Sequence, residues 1–221
     1  MIVHPPVQND GETKPRRPRA GVLVLALACL LVGALVPARG DDAANPSAAA
    51  LIEALLEGRE PVGGPFDLID QAGRHRTDAD FRGKLVLLYF GYTHCPDVCP
   101  TELQALSLAL DMLGAAGAAV QPLFITLDPE RDTPTHLADY VSAFHPRLVA
   151  LTGPDAAIRK VALAYKVYFA RNSVARGGDY AVDHTGFIYL VGKDGRYLGF
   201  LPPGSSPEQI AQAVRERLEE P

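Results

Sequence analysis

Two cysteines, Cys95 and Cys99, stand four residues apart in the run GYTHCPDVCPTEL (residues 91–103), each followed by a proline. Thiols this close can form a disulfide, supply a nucleophile or hold a soft metal such as copper(I) or zinc. A residue before proline is pushed out of the α region. The spacing therefore predicts a loop between the cysteines and a helix that begins at Pro100 with Cys99 at its cap. The partial positive charge of a helix N-terminus lowers a thiol pKa, so both sulfurs are expected as thiolates. Packing alone gives little reason for a proline-bracketed pair at a strand-to-helix junction.

Two thiolates need at least one more ligand to hold most metals, and histidine is the natural supplement. His94 adjoins Cys95, and neighbouring side chains diverge; His75 lies in a polar turn; His136 and His145 sit at the start and end of a helix, where histidines serve as surface or capping residues. His184, in AVDHTGFIYLV, is expected to enter a buried strand that neighbours the one leading to the cysteines. It is the strongest candidate of the five.

The elements that must position these residues alternate along the chain. LVLLYF (85–90) and LFITL (123–127) are short continuous apolar runs, the pattern of buried strands. LVAL (148–151) is a third. Leu103, Leu106, Leu110 and Leu113 mark one face of a helix, as do Leu137, Tyr140, Val141 and Phe144, and Ile158, Val161, Tyr165 and Tyr168. Thr133 and Pro134 supply the cap and first turn of the second of these. GFIYLV and RYLGFL flank Asp194-Gly195, a hairpin turn. Ser206, Pro207 and Gln209 form the cap, first position and capping box of a terminal helix. Strand–helix repeats followed by a hairpin and a helix predict an α/β sandwich with a mixed sheet. Sites in such sheets gather past the carboxyl ends of strands, and both cysteines follow LVLLYF by a few residues.

Of 221 residues, 48% are hydrophobic, enough for a core, and three cysteines are too few for a disulfide-stapled scaffold. Basic residues Arg16–Arg19 precede an uncharged apolar run, Ala20 to Val36, about 25 Å long as a helix. An uncleaved membrane anchor with its N-terminal end in the cytoplasm is the preferred reading, and a cleaved signal peptide the rival. Cys29 is a small apolar residue inside this run. The chain divides into a basic cytoplasmic tail (1–19), an anchor or signal sequence (20–36), a tether with a short helical pattern (37–64) and a folded domain (65–221). Residues 1–40 carry +3 of the chain's overall −5, leaving −8 beyond them. An acidic domain without a basic cluster argues against nucleic acid.

GYTHCPDVCPTEL, FITLDPERDTP and VDHTGFIYLVGKDGRYLGF together resemble the Sco/SenC family of copper chaperones, over about residues 60–220. The resemblance implies a thioredoxin-like fold tethered by one N-terminal helix, in a bacterial inner membrane with the globular domain in the periplasm. It implies copper held by Cys95, Cys99 and His184, and a role in delivering copper to, or reducing thiols of, the CuA site of cytochrome c oxidase subunit II. Another periplasmic copper carrier and a thiol reductant would be further partners. Thiolates favour copper(I), an added imidazole tolerates copper(II), and three ligands leave a position open for transfer. LDPERDTP (127–134) becomes a docking or site-shaping loop, with Asp128 as a supporting residue; by itself it reads as a turn leading into a helix. Asp183 either orients His184 as an acceptor or serves as a turn residue.

Rival functions use the same residues. A thiol–disulfide reductase, with Cys95 and Cys99 as the redox pair, is the main one. Thioredoxin-type enzymes have two residues between their cysteines, not three, and a proline where this chain has DHTGF. VCPTE resembles a peroxiredoxin segment, but Pro96 and Tyr92 stand where that family has threonine and proline. A copper or redox sensor needs the same three residues as a chaperone. Structural zinc prefers four ligands, and only three converge.

Overall fold

The computed structural model describes residues 46–57, 61–173 and 180–219. The expected anchor and basic tail lie outside these residues. Among the described residues no helix is long and apolar enough to cross a membrane.

In chain order the elements are α1 (Ala48–Glu57), β1 (Asp67–Asp70), β2 (His75–Thr77), β3 (Leu85–Gly91), α2 (Val98–Leu113), β4 (Val120–Thr126), α3 (Pro134–Val141), β5 (Val149–Thr152), α4 (Asp155–Ala164), β6 (Phe169–Ser173), β7 (Tyr180–His184), β8 (Ile188–Val191), β9 (Tyr197–Leu201) and α5 (Pro207–Glu219). Seven strands form one mixed sheet in the order β2-β1-β5-β4-β3-β8-β9, and β6 pairs with β7 as a separate two-stranded ribbon. β3 runs parallel to β4, and β4 to β5; β8 is antiparallel to β3. α2 packs on α5 and α5 on β3, while α3 lies against β5 and α4 against β1.

The apolar runs become the central strands because both faces of the sheet are covered. Every residue of β3 is buried, from Leu85 to Gly91. The stripe Leu103, Leu106, Leu110 and Leu113 is buried along α2. Phe90 and Tyr189 meet edge to face at 5.9 Å across β3 and β8. The Asp194-Gly195 turn joins β8 to β9, with Gly195 at φ 79°, a conformation that glycine adopts without Cβ strain. At α5, Gln209 caps the Ser206 amide at 2.8 Å and Ser206 Oγ accepts from the Gln209 amide at 3.3 Å. In α1, inside the segment expected as a tether, Leu55 joins the core.

The structure departs from expectation at several element ends. α2 starts at Val98 with Asp97 at its cap, so Cys99 is the second helical residue rather than the cap. Pro100 then occupies the third position, where the missing N–H is one of those a helix leaves unpaired anyway. His184 does not enter β8: it is the last residue of β7, and β8 begins at Ile188. α3 stops before Phe144, and α4 before both Tyr165 and Tyr168 of its predicted stripe.

Candidate metal centre

β3 and β4 deliver two loops to the same end of the sheet. The first carries Cys95 and leads into α2. The second is LDPERDTP, whose Leu127 amide donates to the Gly91 carbonyl at 2.7 Å. The β6–β7 ribbon brings His184 over the first loop. Cys99 Sγ lies 3.4 Å from His184 Nε2, although 85 residues separate them. The Cys99 amide donates to Cys95 Sγ at 3.4 Å, so the first sulfur helps to cap the helix that holds the second. Both cysteines are free thiols; Cys99 is buried and Cys95 half-buried.

The hydrogen bonds of His184 fix its tautomer. Nδ1 faces the Thr185 carbonyl oxygen at 3.0 Å. A carbonyl only accepts, so Nδ1 carries the proton and neutral Nε2 presents its lone pair to Cys99. Burial lowers the His184 pKa, which keeps the ring neutral at pH 7. Tyr92 and Tyr89 pack edge-on against it, at 6.1 and 6.3 Å between centroids. Thr185 thus supplies the acceptor, one of the two roles expected of Asp183; Asp183 lies within β7 rather than in a turn, and its exposed carboxylate accepts from Asn172.

Cys99 is not the lowered-pKa thiolate that a helix cap predicts. Burial pushes its thiol up to about 12, and the neighbouring Cys95 adds to the rise. At pH 7 its S–H is therefore present to donate to Nε2 of His184. The buried Tyr89 hydroxyl lies within hydrogen-bonding reach of Cys99, close enough for each to influence the other's ionisation. Gly91 makes room for the sulfur: a Cβ there would stand 3.0 Å from Cys99 Sγ.

Asp128 is fully buried. It accepts from Tyr180 Oη at 2.6 Å and from Arg131 Nε, and Arg171 lies 3.6 Å away. LDPERDTP is therefore both a turn into α3 and a clasp on the ribbon that ends in His184. His94 and His136 also meet at this end of the sheet, their ring centroids 5.3 Å apart. Together with Asp132 they offer three ligand atoms within 4.8 Å of one another. In the sequence this leaves no more than Thr93-His94 after the third strand and Asp132 and His136 around the start of α3. A cavity of about 300 Å³ lined by Phe66, Phe81, Val86 and Tyr165 lies at the far end of β3, away from the cysteines.

Fold and site define a thioredoxin-like domain that brings a dithiol at the start of α2 together with an imidazole at the end of β7. The chain belongs to the SCO1/SenC family, whose model matches residues 56–219. It is 48% identical over 157 residues to a SCO2 homolog, mitochondrial, of Bos taurus, a match that covers 70% of this chain and spans 59% of the bovine protein's length. Bradyrhizobium japonicum ScoI with copper bound is 44% identical and superposes with a TM-score of 0.66, over 71% of this chain and 99% of that one. Yeast Sco1 with copper bound is 38% identical, with a TM-score of 0.68, over 73% and 91%.

Proposed function

We propose that this chain is a copper chaperone that carries copper(I) on Cys95, Cys99 and His184 and matures the CuA site of cytochrome c oxidase subunit II. The observation that carries this reading is the pairing of Cys99 Sγ with the lone-pair nitrogen of His184 at 3.4 Å. A proton shared between a soft sulfur and an imidazole marks a place that a soft cation fills by displacing that proton. Cys95 Sγ, already directed at the Cys99 amide, supplies the second thiolate. The copper-bound Bradyrhizobium and yeast relatives support copper as the cargo. With three protein ligands, from the loop after β3, the first turn of α2 and the end of β7, one position stays open to a recipient.

The proposed setting is a bacterial inner membrane, with residues 20–36 as a single-pass anchor and the described domain in the periplasm. A second copper carrier would load the site. A thiol reductant would keep Cys95 and Cys99 reduced where disulfides persist.

Anaerobic copper(I) titration of the reduced full-length chain against a competing chelator, in wild type and His184→Ala, tests the reading. One tight copper per chain, weakened by the substitution, is expected. No tight copper, or binding indifferent to His184, would turn the assignment to thiol–disulfide exchange. Cys95, the half-buried thiol, would then be the attacking group.

A further inference from the structure

Thr93 Oγ1 stands at the centre of a second ligand set. It lies 2.6 Å from Asp132 Oδ1, 2.8 Å from His136 Nε2 and 3.1 Å from His94 Nδ1. The hydroxyl has one proton and two lone pairs, so it donates to the carboxylate and accepts from both imidazoles. We propose that His94, Asp132 and His136 form a metal site distinct from the dithiol site, taking a borderline divalent ion of the Cu2+ or Zn2+ class.

The donor set selects that class. Two neutral imidazoles and one carboxylate suit Zn2+ and Cu2+, whereas copper(I) prefers thiolate. The carboxylate is held as a ligand should be. Asp132 is fully buried, and Oδ2 accepts from Thr126 Oγ1 at 2.5 Å and from the Thr93 amide at 3.1 Å. Such outer bonds orient a ligating carboxylate. Oδ1 is left facing the two rings, and His94 Nδ1 is 3.8 Å from it.

The rings come from different elements, His94 from the loop after β3 and His136 from the first turn of α3. They stack at 5.3 Å between centroids, 25° apart in plane. Both are exposed, which gives an ion a way in. Ligand atoms around a tetrahedral ion stand about 3.3 Å apart, given metal–ligand bonds of about 2.0–2.1 Å. Rotation of the Thr93 hydroxyl out of the centre, transfer of each imidazole's proton to its other ring nitrogen and small movements of the two exposed rings free the lone pairs and close the 4.8 Å spread to that value. Water completes the coordination. The proposal stands without the copper-delivery reading, because none of its ligands belongs to the dithiol site.

The test is Cu2+ binding to the full-length chain carrying Cys95→Ser and Cys99→Ser, followed by equilibrium dialysis and electron paramagnetic resonance. One Cu2+ with nitrogen hyperfine structure is expected. His94→Asn or His136→Asn should each weaken it at least about ten-fold, and His184→Asn should leave it unchanged. Because Cys99 is buried, its replacement can cost folding. Zn2+ dialysis of the wild-type chain provides a second reading, in which the His94→Asn/His136→Asn pair lowers the bound ion count by one. Metal binding that neither substitution alters in either background overturns the site, whatever the outcome of the copper(I) titration.

Discussion

Tyr180 Oη donates to the buried carboxylate of Asp128 at 2.6 Å, and so ties the first residue of β7 to the loop after β4. The last residue of that strand is His184. Tyr180→Phe removes this bond and keeps the ring that lies against Arg131 and Arg171. A hydrogen bond to a charged group contributes about 1.5–3 kcal/mol, so Tm should fall by several degrees. Hydrogen exchange along β6 and β7 should quicken, and copper(I) affinity should drop because the imidazole is less well placed. An unchanged Tm with unchanged ribbon protection would show that Asp128 does not hold the ribbon.

Copper(I) affinity should depend on pH through Cys99. Its thiol is pushed up to about 12 by burial, so across the neutral range copper must displace a proton from it. Each such proton makes binding about ten-fold tighter per pH unit gained, or 1.36 kcal/mol. His184 does not add to this slope near neutrality. Burial holds its pKa below the usual 6.5, so it loses affinity to protonation only at more acidic pH. Chelator competition between pH 6.5 and 9 should give a slope of at least one. A flat profile would mean that Cys99 does not bind as a thiolate.

The reach of the sequence ends where contacts become non-local. LVLLYF, the leucine stripe of α2 and the Ser206 capping box were legible because a strand or helix writes its own period and caps into adjacent residues. The resemblance carried Cys95, Cys99 and His184 as a set, and the fold brings Cys99 and His184 together. The ribbon was not legible. FARNS and YAVDH do not alternate apolar with polar, so His184 was attached to the apolar strand after it. The state of Cys99 was misread for a related reason. A helix-cap argument assumes a sulfur open to water; Asp97 and Val98 are exposed here, but Cys99 is fully buried, with Gly91 and His184 against its sulfur. Thr93 and Asp132 are 39 residues apart, and no local pattern pairs them.

Gly91 should prove intolerant of a side chain for reasons of space alone. A Cβ would meet Cys99 Sγ and Phe124 at 3.0 Å and Tyr89 at 3.1 Å, and all three neighbours are buried. Overpacking of this kind costs about 1–3 kcal/mol. Gly91→Ala should lower Tm and, because the sulfur must shift, weaken copper(I) binding. Gly73→Ala is the control. Gly73 has φ +77° with open space around its would-be Cβ, in the β1–β2 turn, so its replacement strains the backbone without touching the site. Stability should fall in both variants and copper affinity only in the first. Equal copper affinities would mean that the site absorbs the extra methyl.

Glu102 gives stability a pH dependence that opposes the common acid loss. Its Oε1 accepts from the Gly204 amide at 2.5 Å, but Oε2 is buried with no partner among the described residues. Burial raises its pKa above the usual 4.5, only partly offset by that bond. The folded state therefore holds a proton that the unfolded state releases. This contribution is fully present below pH 4.5 and is lost as pH rises through the folded value. Asp70 works the other way. Burial opposes its ionisation, but bonds from Arg74 and Ala72 outweigh this and hold it low, so it loses stability in acid. Comparing wild type with Glu102→Gln cancels Asp70 and every other shared group. The Gln amide oxygen can still accept from Gly204, and the group no longer ionises. The Tm difference, variant minus wild type, should be more positive at pH 7 than at pH 4, measured by thermal unfolding of the metal-free chain at both. A difference that does not change with pH would mean that Glu102 ionises equally easily in the folded and unfolded chain.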